Sequence, residues 1–207
     1  LSRNISLLKQ LNYERYLTKP GWLEDIAEDK EYIIIYNRES GCEYTAGNSL
    51  RNIPLEIFKL ALEELNKKGI KVIRCGGKYM KPASDYGIDK QMLYDYVSSS
   101  YIDATNDIFL WKYCKAVIGS PSGATHVPSV LFKKPTLYFG LVWCNLLALW
   151  HGINSYSSSL PSENYWFIPK ITCNNEVLTL DQRMILEHNM DINPYHNCNI
   201  KPVSQEV

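Results

Sequence analysis

A chain of 207 residues, 45% apolar and 21% charged, suits one globular domain of ordinary to large size. Such a chain buries roughly 70% of its unfolded surface, so it needs no disulfide or metal to hold it together. Lys plus Arg equals Asp plus Glu at 22 each, which excludes a global field for nucleic acid or an anionic membrane and leaves any anion site to be local.

No apolar run reaches the ~18 residues that span a bilayer. The longest, Leu141 to Trp150, is interrupted by Asn145 and ends at His151. No secretion signal opens the chain. It begins with Leu1 and is read as a piece of a longer protein or a processed product. Cys42, Cys75, Cys114, Cys144, Cys173 and Cys198 lie far apart, without a C-x-x-C or a neighbouring histidine cluster. That spacing argues against zinc and fits thiols in a reducing, cytoplasmic compartment. The 15 tyrosines and five tryptophans suit either core packing or a surface that meets sugars.

In chain order, residues 1–30 read as a polar lead-in broken at Lys19-Pro20-Gly21. The segment EYIIIYN, Glu31 to Asn37, has the continuous apolar run of a central parallel strand. Arg38 and Glu39 follow at its carboxyl end, where an open α/β sheet has its ligand crevice. Arg38 either forks onto phosphate oxygens or forms a weak surface pair with Glu39. Residues 42–53 make a long polar loop with Arg51 and Asn52. Pro54 opens a helix with Leu55, Phe58, Leu62 and Leu65 as its apolar stripe, and Gly69 closes it.

IKVIRC, Ile70 to Cys75, is the next strand, and Arg74 inside it demands a partner if buried. Gly76 and Gly77 free the backbone beyond it, and Lys78 and Lys81 offer either a phosphate contact or a solvated loop. Leu93 to Val97 reads as a short strand. Asp103 opens a helix, with Lys112 and Lys115 near its carboxyl end as the macrodipole favours.

Ala116 to Gly119 feeds GSPSGATHVPSV, and Pro135 to Phe139 is the last parallel strand. Strand, Gly/Ser turn, helix and strand in that order present backbone amides to a phosphate at a helix N-terminus. Pro128 constrains the geometry, because proline clashes beyond a first helical turn. Capping by Thr125 puts Pro128 third in the helix, whereas capping by Ser122 puts it in the second turn. Thr125 is therefore the expected cap, leaving Ser120, Ser122, Gly123 and Ala124 as a free loop able to offer amides and hydroxyls. Thr179 and Gln182 form a capping-box pattern for a closing helix to about Met190. Residues 193–207 read as a polar, disordered tail. The expectation is an α/β domain over residues 31–192, a Rossmann-like parallel sheet with helices on both faces.

The segments IIIYNRESG, SLRNIPLEIF, GIKVIRCGGKYMKP, YVSSSYIDATNDIFLWKYCKAVIGSPSG, VPSVLFKKPTLYFG and WFIPKI…NEVLTLDQRMIL resemble, in order and spacing, a bacterial family of inferred glycosyltransferases linked to surface-polysaccharide synthesis. That family is similar in turn to the two-domain GT-B glycosyltransferases, fucosyltransferase-like enzymes above all. The resemblance implies the nucleotide-binding half of such an enzyme, with the N-terminal acceptor half missing or supplied elsewhere. It implies that Arg38 binds the donor diphosphate and that Ser120, Ser122 and Gly123 line the nucleotide-sugar pocket. It also implies Arg74 and Lys81 near the donor, and Arg51 and Asn52 on the cleft. Fucosyltransferase-like enzymes often have a histidine two residues before the arginine, where this chain has Tyr36.

The chain has no Asp-x-Asp metal motif, so transfer is expected to be metal-independent and to use no cofactor beyond the nucleotide-sugar substrate. Arg38 and the Gly119–Ala124 loop then stabilise the leaving diphosphate, toward a glycan or lipid-linked glycan acceptor. Glu39 is the nearest candidate for a general base, ahead of His126 and His151. Two rivals are a non-catalytic nucleotide-sugar-binding module and a Rossmann-like sugar-nucleotide-modifying enzyme. The missing G-x-G-x-x-G fingerprint weakens the second.

Overall fold

The computed structural model describes residues 18–28, 30–39, 53–77, 79–120, 122–139, 164–167, 171–179, 182 and 199–200. At its centre lies β1 (Tyr32–Tyr36), in which the three successive isoleucines are all buried. A strand covered on both faces carries apolar side chains at consecutive positions. It pairs in parallel with β2 (Lys71–Arg74) on one side and β4 (Val117–Gly119) on the other. With β3 (Tyr94–Asp95), β5 (Thr136–Phe139) and β6 (Asn164–Phe167) the six-stranded parallel sheet runs β3-β2-β1-β4-β5-β6. This is the doubly wound, Rossmann-like order, and its winding direction reverses between β1 and β4. β6 adds a parallel strand beyond β5, which is the last that the sequence pattern predicts.

Helices cover both faces. On one, α2 (Lys59–Lys67) follows a 3₁₀ turn over Leu55–Phe58. Leu55, Phe58 and Leu62 pack there against Ile33, Ile35 and Val72. Gly69, at φ 71°, takes the left-handed conformation that lets Ile70 N–H reach back to the Leu65 carbonyl. On the other face, α3 (Ala104–Tyr113) is capped by Asp103, whose carboxylate accepts from Thr105 N–H at 2.7 Å. Its Phe109 and Leu110 join a core with Ile34, Ile73 and Val117.

That core also takes in α1 (Gly21–Ala27), whose Leu23, Ile26 and Ala27 are buried within it. The Pro20-Gly21 break is thus a helix start: Pro20 is the N-cap and Gly21 the first helical residue. The packed domain extends back to Gly21 rather than beginning at Glu31.

A second, antiparallel sheet joins β7 (Ile171–Cys173) to β8 (Glu176–Val177) and β9 (Asn199–Ile200) in the order β8-β7-β9. Asn174 and Asn175, both at positive φ, form the two-residue hairpin turn between β7 and β8. β9 falls in the stretch expected to be a disordered tail, and ladder pairing with β7 orders it. The Thr179–Gln182 capping box forms reciprocally: Thr179 N–H donates to Gln182 Oε1 and Gln182 N–H to Thr179 Oγ1. The remainder of the closing helix lies outside the described residues. Cys75 and Cys114 are buried free thiols, as expected, whereas Cys173 is disulfide-bonded and departs from the all-thiol reading.

Candidate functional site

The crevice outside the carboxyl ends of β1 and β4 is where an open α/β sheet of this order binds ligands, because the connections leave the strands there in opposite directions. Two candidate segments meet at that point. Tyr36 ends β1 and pairs with Gly119, which ends β4. A Cβ on Gly119 would overlap the Tyr36 carbonyl oxygen, so only glycine lets the strand ends approach so closely. Just beyond, Ser120 is fully buried and stitches the strands together. Its N–H donates to the Tyr36 carbonyl at 2.9 Å, and its Oγ accepts from Arg38 N–H at 2.8 Å. Ser120 therefore links the loop to Arg38 through backbone geometry, with its hydroxyl already engaged.

The loop then turns directly into α4 (Gly123–Phe132). Ser122, not Thr125, is the N-cap: it is extended (φ −154°, ψ 167°), and its Oγ accepts from Thr125 N–H at 3.3 Å. Pro128 consequently lies inside the helix, as the sixth residue. The Thr125 hydroxyl is diverted to the buried Ser120 carbonyl, at 2.5 Å, so it cannot cap. This correction changes what the loop offers. Thr125 N–H is taken by Ser122 Oγ and His126 N–H by the Ser122 carbonyl, leaving Gly123 and Ala124 as the first-turn amides without a partner among the described residues. Partial positive charge at a helix N-terminus favours an anion.

Arg38 and Arg74, both expected at the donor, have opposite environments. Arg74 is fully buried at the end of β2. Its Nε donates to Asn37 Oδ1 (2.9 Å), Nη2 to Glu39 Oε1 (2.5 Å), and Nη1 to Asp95 Oδ1 (3.1 Å) and the Lys81 carbonyl (2.7 Å). The Tyr86 ring lies 5.8 Å from its guanidinium carbon. Four of the five N–H donors of a guanidinium are thus engaged within the protein. The charge partners that burial demands are Glu39 and Asp95. Arg38 is half-buried, and among the described residues nothing hydrogen-bonds or ion-pairs with its guanidinium. It is the available cation of the two.

Glu39, the sequence candidate for a base, is likewise engaged. Oε1 accepts from Arg74 and from Asn37 Nδ2 (3.0 Å), and Oε2 from Lys81 N–H (3.0 Å). Lys81 contributes its backbone to this network, and its side chain is exposed. Tyr36 is partly buried; burial first, and then Tyr79, push its phenol up to about 12, while Arg38 pulls the other way. At neutral pH the phenol keeps its proton. Arg51, Asn52 and His151 lie outside the described residues. His126 sits in α4 with Nδ1 3.3 Å from the Tyr138 hydroxyl.

Asn37 and Asp95 were missed by sequence reasoning. The signal for Asp95 was the arginine in a buried strand, which requires a nearby carboxylate. Among the described residues no group of three or more His, Cys, Asp and Glu could hold a metal ion, and no helix is long and apolar enough to cross a membrane.

No family model and no curated protein matches the sequence. Among solved structures, E. coli heptosyltransferase WaaC with ADP is similar, at 12% identity and a TM-score of 0.42. The likeness covers 80% of this chain and 46% of that one, so the chain spans about half the length of the enzyme it is compared with. A likeness of that size identifies neither family nor activity.

Proposed function

We propose that the chain is the donor-binding half of a glycosyltransferase that takes its sugar from a nucleoside diphosphate. The observation that carries this reading is the Arg38 guanidinium at the switch point between β1 and β4, unengaged among the described residues. The backbone N–H of Arg38 binds Ser120 in the loop that leads to α4, where the Gly123 and Ala124 amides likewise have no partner among the described residues. A half-buried cation with no carboxylate partner among the described residues, on a strand end tied to the loop before a helix N-terminus, has the electrostatics of a site for a diphosphate. The ordered resemblance of the motifs to inferred surface-polysaccharide glycosyltransferases supports the sugar-transfer chemistry.

In that reaction the bond from the anomeric carbon to the β-phosphate oxygen breaks, and its electron pair leaves with the diphosphate. The acceptor hydroxyl oxygen bonds to the anomeric carbon and gives its proton to a base. Negative charge grows on the departing oxygen, which Arg38 and the Gly123 and Ala124 amides stabilise without a metal. A glycan or lipid-linked glycan on a second half of the enzyme would supply the acceptor.

The test is thermal stabilisation of the chain by a panel of nucleoside diphosphates, with turnover of the matching sugar donor. A ligand at 100 times its Kd stabilises by about 2.7 kcal/mol. Arg38→Ala is expected to weaken binding by roughly 100-fold, because a charge-assisted hydrogen bond to phosphate is worth about 2–3 kcal/mol. Either no shift with any diphosphate, or a shift kept intact by Arg38→Ala, would sink the reading. Binding without donor turnover would favour the non-catalytic module instead.

A further inference from the structure

Arg38 is held from four directions. Its own N–H donates to Ser120 Oγ at 2.8 Å, and its carbonyl accepts from Ile53 N–H at 3.0 Å. The residues on either side of it, Asn37 and Glu39, are locked to each other and to Arg74 in a closed triangle. Arg74 Nε binds Asn37 Oδ1 at 2.9 Å, Arg74 Nη2 binds Glu39 Oε1 at 2.5 Å, and Asn37 Nδ2 binds Glu39 Oε1 at 3.0 Å. Both Asn37 and Arg74 are fully buried. The far side of the triangle is anchored by Asp95, which accepts from Arg74 and, through Oδ2, from Ala83 N–H at 2.8 Å.

We infer that the Arg74–Glu39 pair is a positioning device, which fixes the backbone on both sides of Arg38 so that its guanidinium is set for a diphosphate before the ligand arrives. Burying an arginine with two carboxylates is a weak source of stability, since an apolar set of similar volume commonly does as well. What the charged triangle adds is geometry: each side chain satisfies the others only with residues 37 to 39 in this path. A ligand-binding group held this way loses little freedom on binding. Arg74 and Glu39 then act through Arg38 and touch no ligand. The inference rests on the anion-site reading of Arg38.

The sign of one substitution separates positioning from simple electrostatics. Glu39 is a negative charge next to an anion site, so removing a bystander carboxylate tightens anion binding. Removing a positioning group weakens it. Calorimetric binding of inorganic pyrophosphate to the full chain is measured for the parent, Arg38→Ala, Glu39→Ala and the double variant, with circular dichroism to establish folding. The expected result is about tenfold weaker binding for Glu39→Ala, with no further loss from adding Glu39→Ala to Arg38→Ala. Glu39→Gln keeps an acceptor for Arg74 and is expected to fall between the parent and Glu39→Ala; it serves as the test alone if Glu39→Ala does not fold. Equal or tighter binding by the Glu39 variants overturns the positioning role while Arg38→Ala still loses pyrophosphate and the diphosphate site stands. A Glu39 effect that persists unchanged in the Arg38→Ala background also overturns it. A folded parent that binds no pyrophosphate removes both the inference and the site it rests on.

Discussion

Asp107 is a residue whose chemistry no element boundary reveals. It lies in the first turn of α3, and its Oδ1 is buried with no hydrogen-bond partner among the described residues. Burial pushes its carboxyl up to about 6, the nearby Asp103 adds to the rise, and a hydrogen bond from Tyr96 opposes it. For an acid whose folded pKa lies above the unfolded value of 3.8, the folded state prefers the proton. Stability is therefore lost as pH rises from about 4 through about 6, and the penalty is constant above that. Asp107→Asn removes the penalty. With allowance for partial exposure and for the weaker interaction with the helix dipole, the variant should be about 1 kcal/mol more stable at pH 7.5. The gain should vanish near pH 4. Urea denaturation of both proteins at the two pH values measures it, and a gain of the same size at both would rule out the titration. The same scale explains why Arg74 was legible only in part. An arginine among Val72, Ile73 and Cys75 announces a need for acids, but nothing in the local pattern says that they are Glu39 and Asp95. Those lie 35 and 21 residues away and arrive only because β1, β2 and β3 are neighbours.

At the scale of elements, the strands were readable because β-branched runs flanked by Gly, Asn and charged residues leave few alternatives, and β1, β2, β4 and β5 lie within a residue or so of their expected bounds. The start of α4 was not. Proline propensity argues for Thr125 as the cap, since Pro128 in a second turn forfeits a helical hydrogen bond and crowds the carbonyl four residues back. Two interactions outweigh that local cost. Ser122 caps the first turn, and the Thr125 hydroxyl satisfies the buried Ser120 carbonyl. Lys133, at φ 55°, then ends the helix by turning its N–H back to the Pro128 carbonyl. Ser122→Ala should cost about 1 kcal/mol and lower Tm by about 2–4 °C in a domain of this size. Melting followed by circular dichroism checks this, and an unchanged Tm would return the cap to another residue. The Asn174-Asn175 hairpin and β9 escaped notice for a different reason: two-residue strands carry almost no periodicity to read.

Across the whole molecule, the strand order matters more than any single motif. Starting in the middle of the sheet and winding outward in both directions leaves one place where the loops after adjacent strands diverge, and Arg38 and Ser120 stand on its two sides. Holding those strand ends in register requires both faces of β1 to be filled. On one face the filling includes a helix from the stretch whose sequence reads as a polar lead-in. Leu23 is fully buried in the cluster with Ile34, Ile73 and Leu110, beneath the same strands that carry the site. If α1 is integral, Leu23→Ala opens a cavity in the core and should destabilise the fold by about 3 kcal/mol, as for other buried leucines. Were α1 a detachable leader, the change would fall within the roughly 0.5 kcal/mol typical of surface substitutions. Urea titration distinguishes the two through the midpoint, with an unchanged slope showing that the unfolded reference is the same. Leu23 touches the site only through the core, so a folded Leu23→Ala protein should bind diphosphate as tightly as the parent. A loss of affinity in that folded variant would mean that the register of β1 and β4 depends on α1 more directly than shared packing requires.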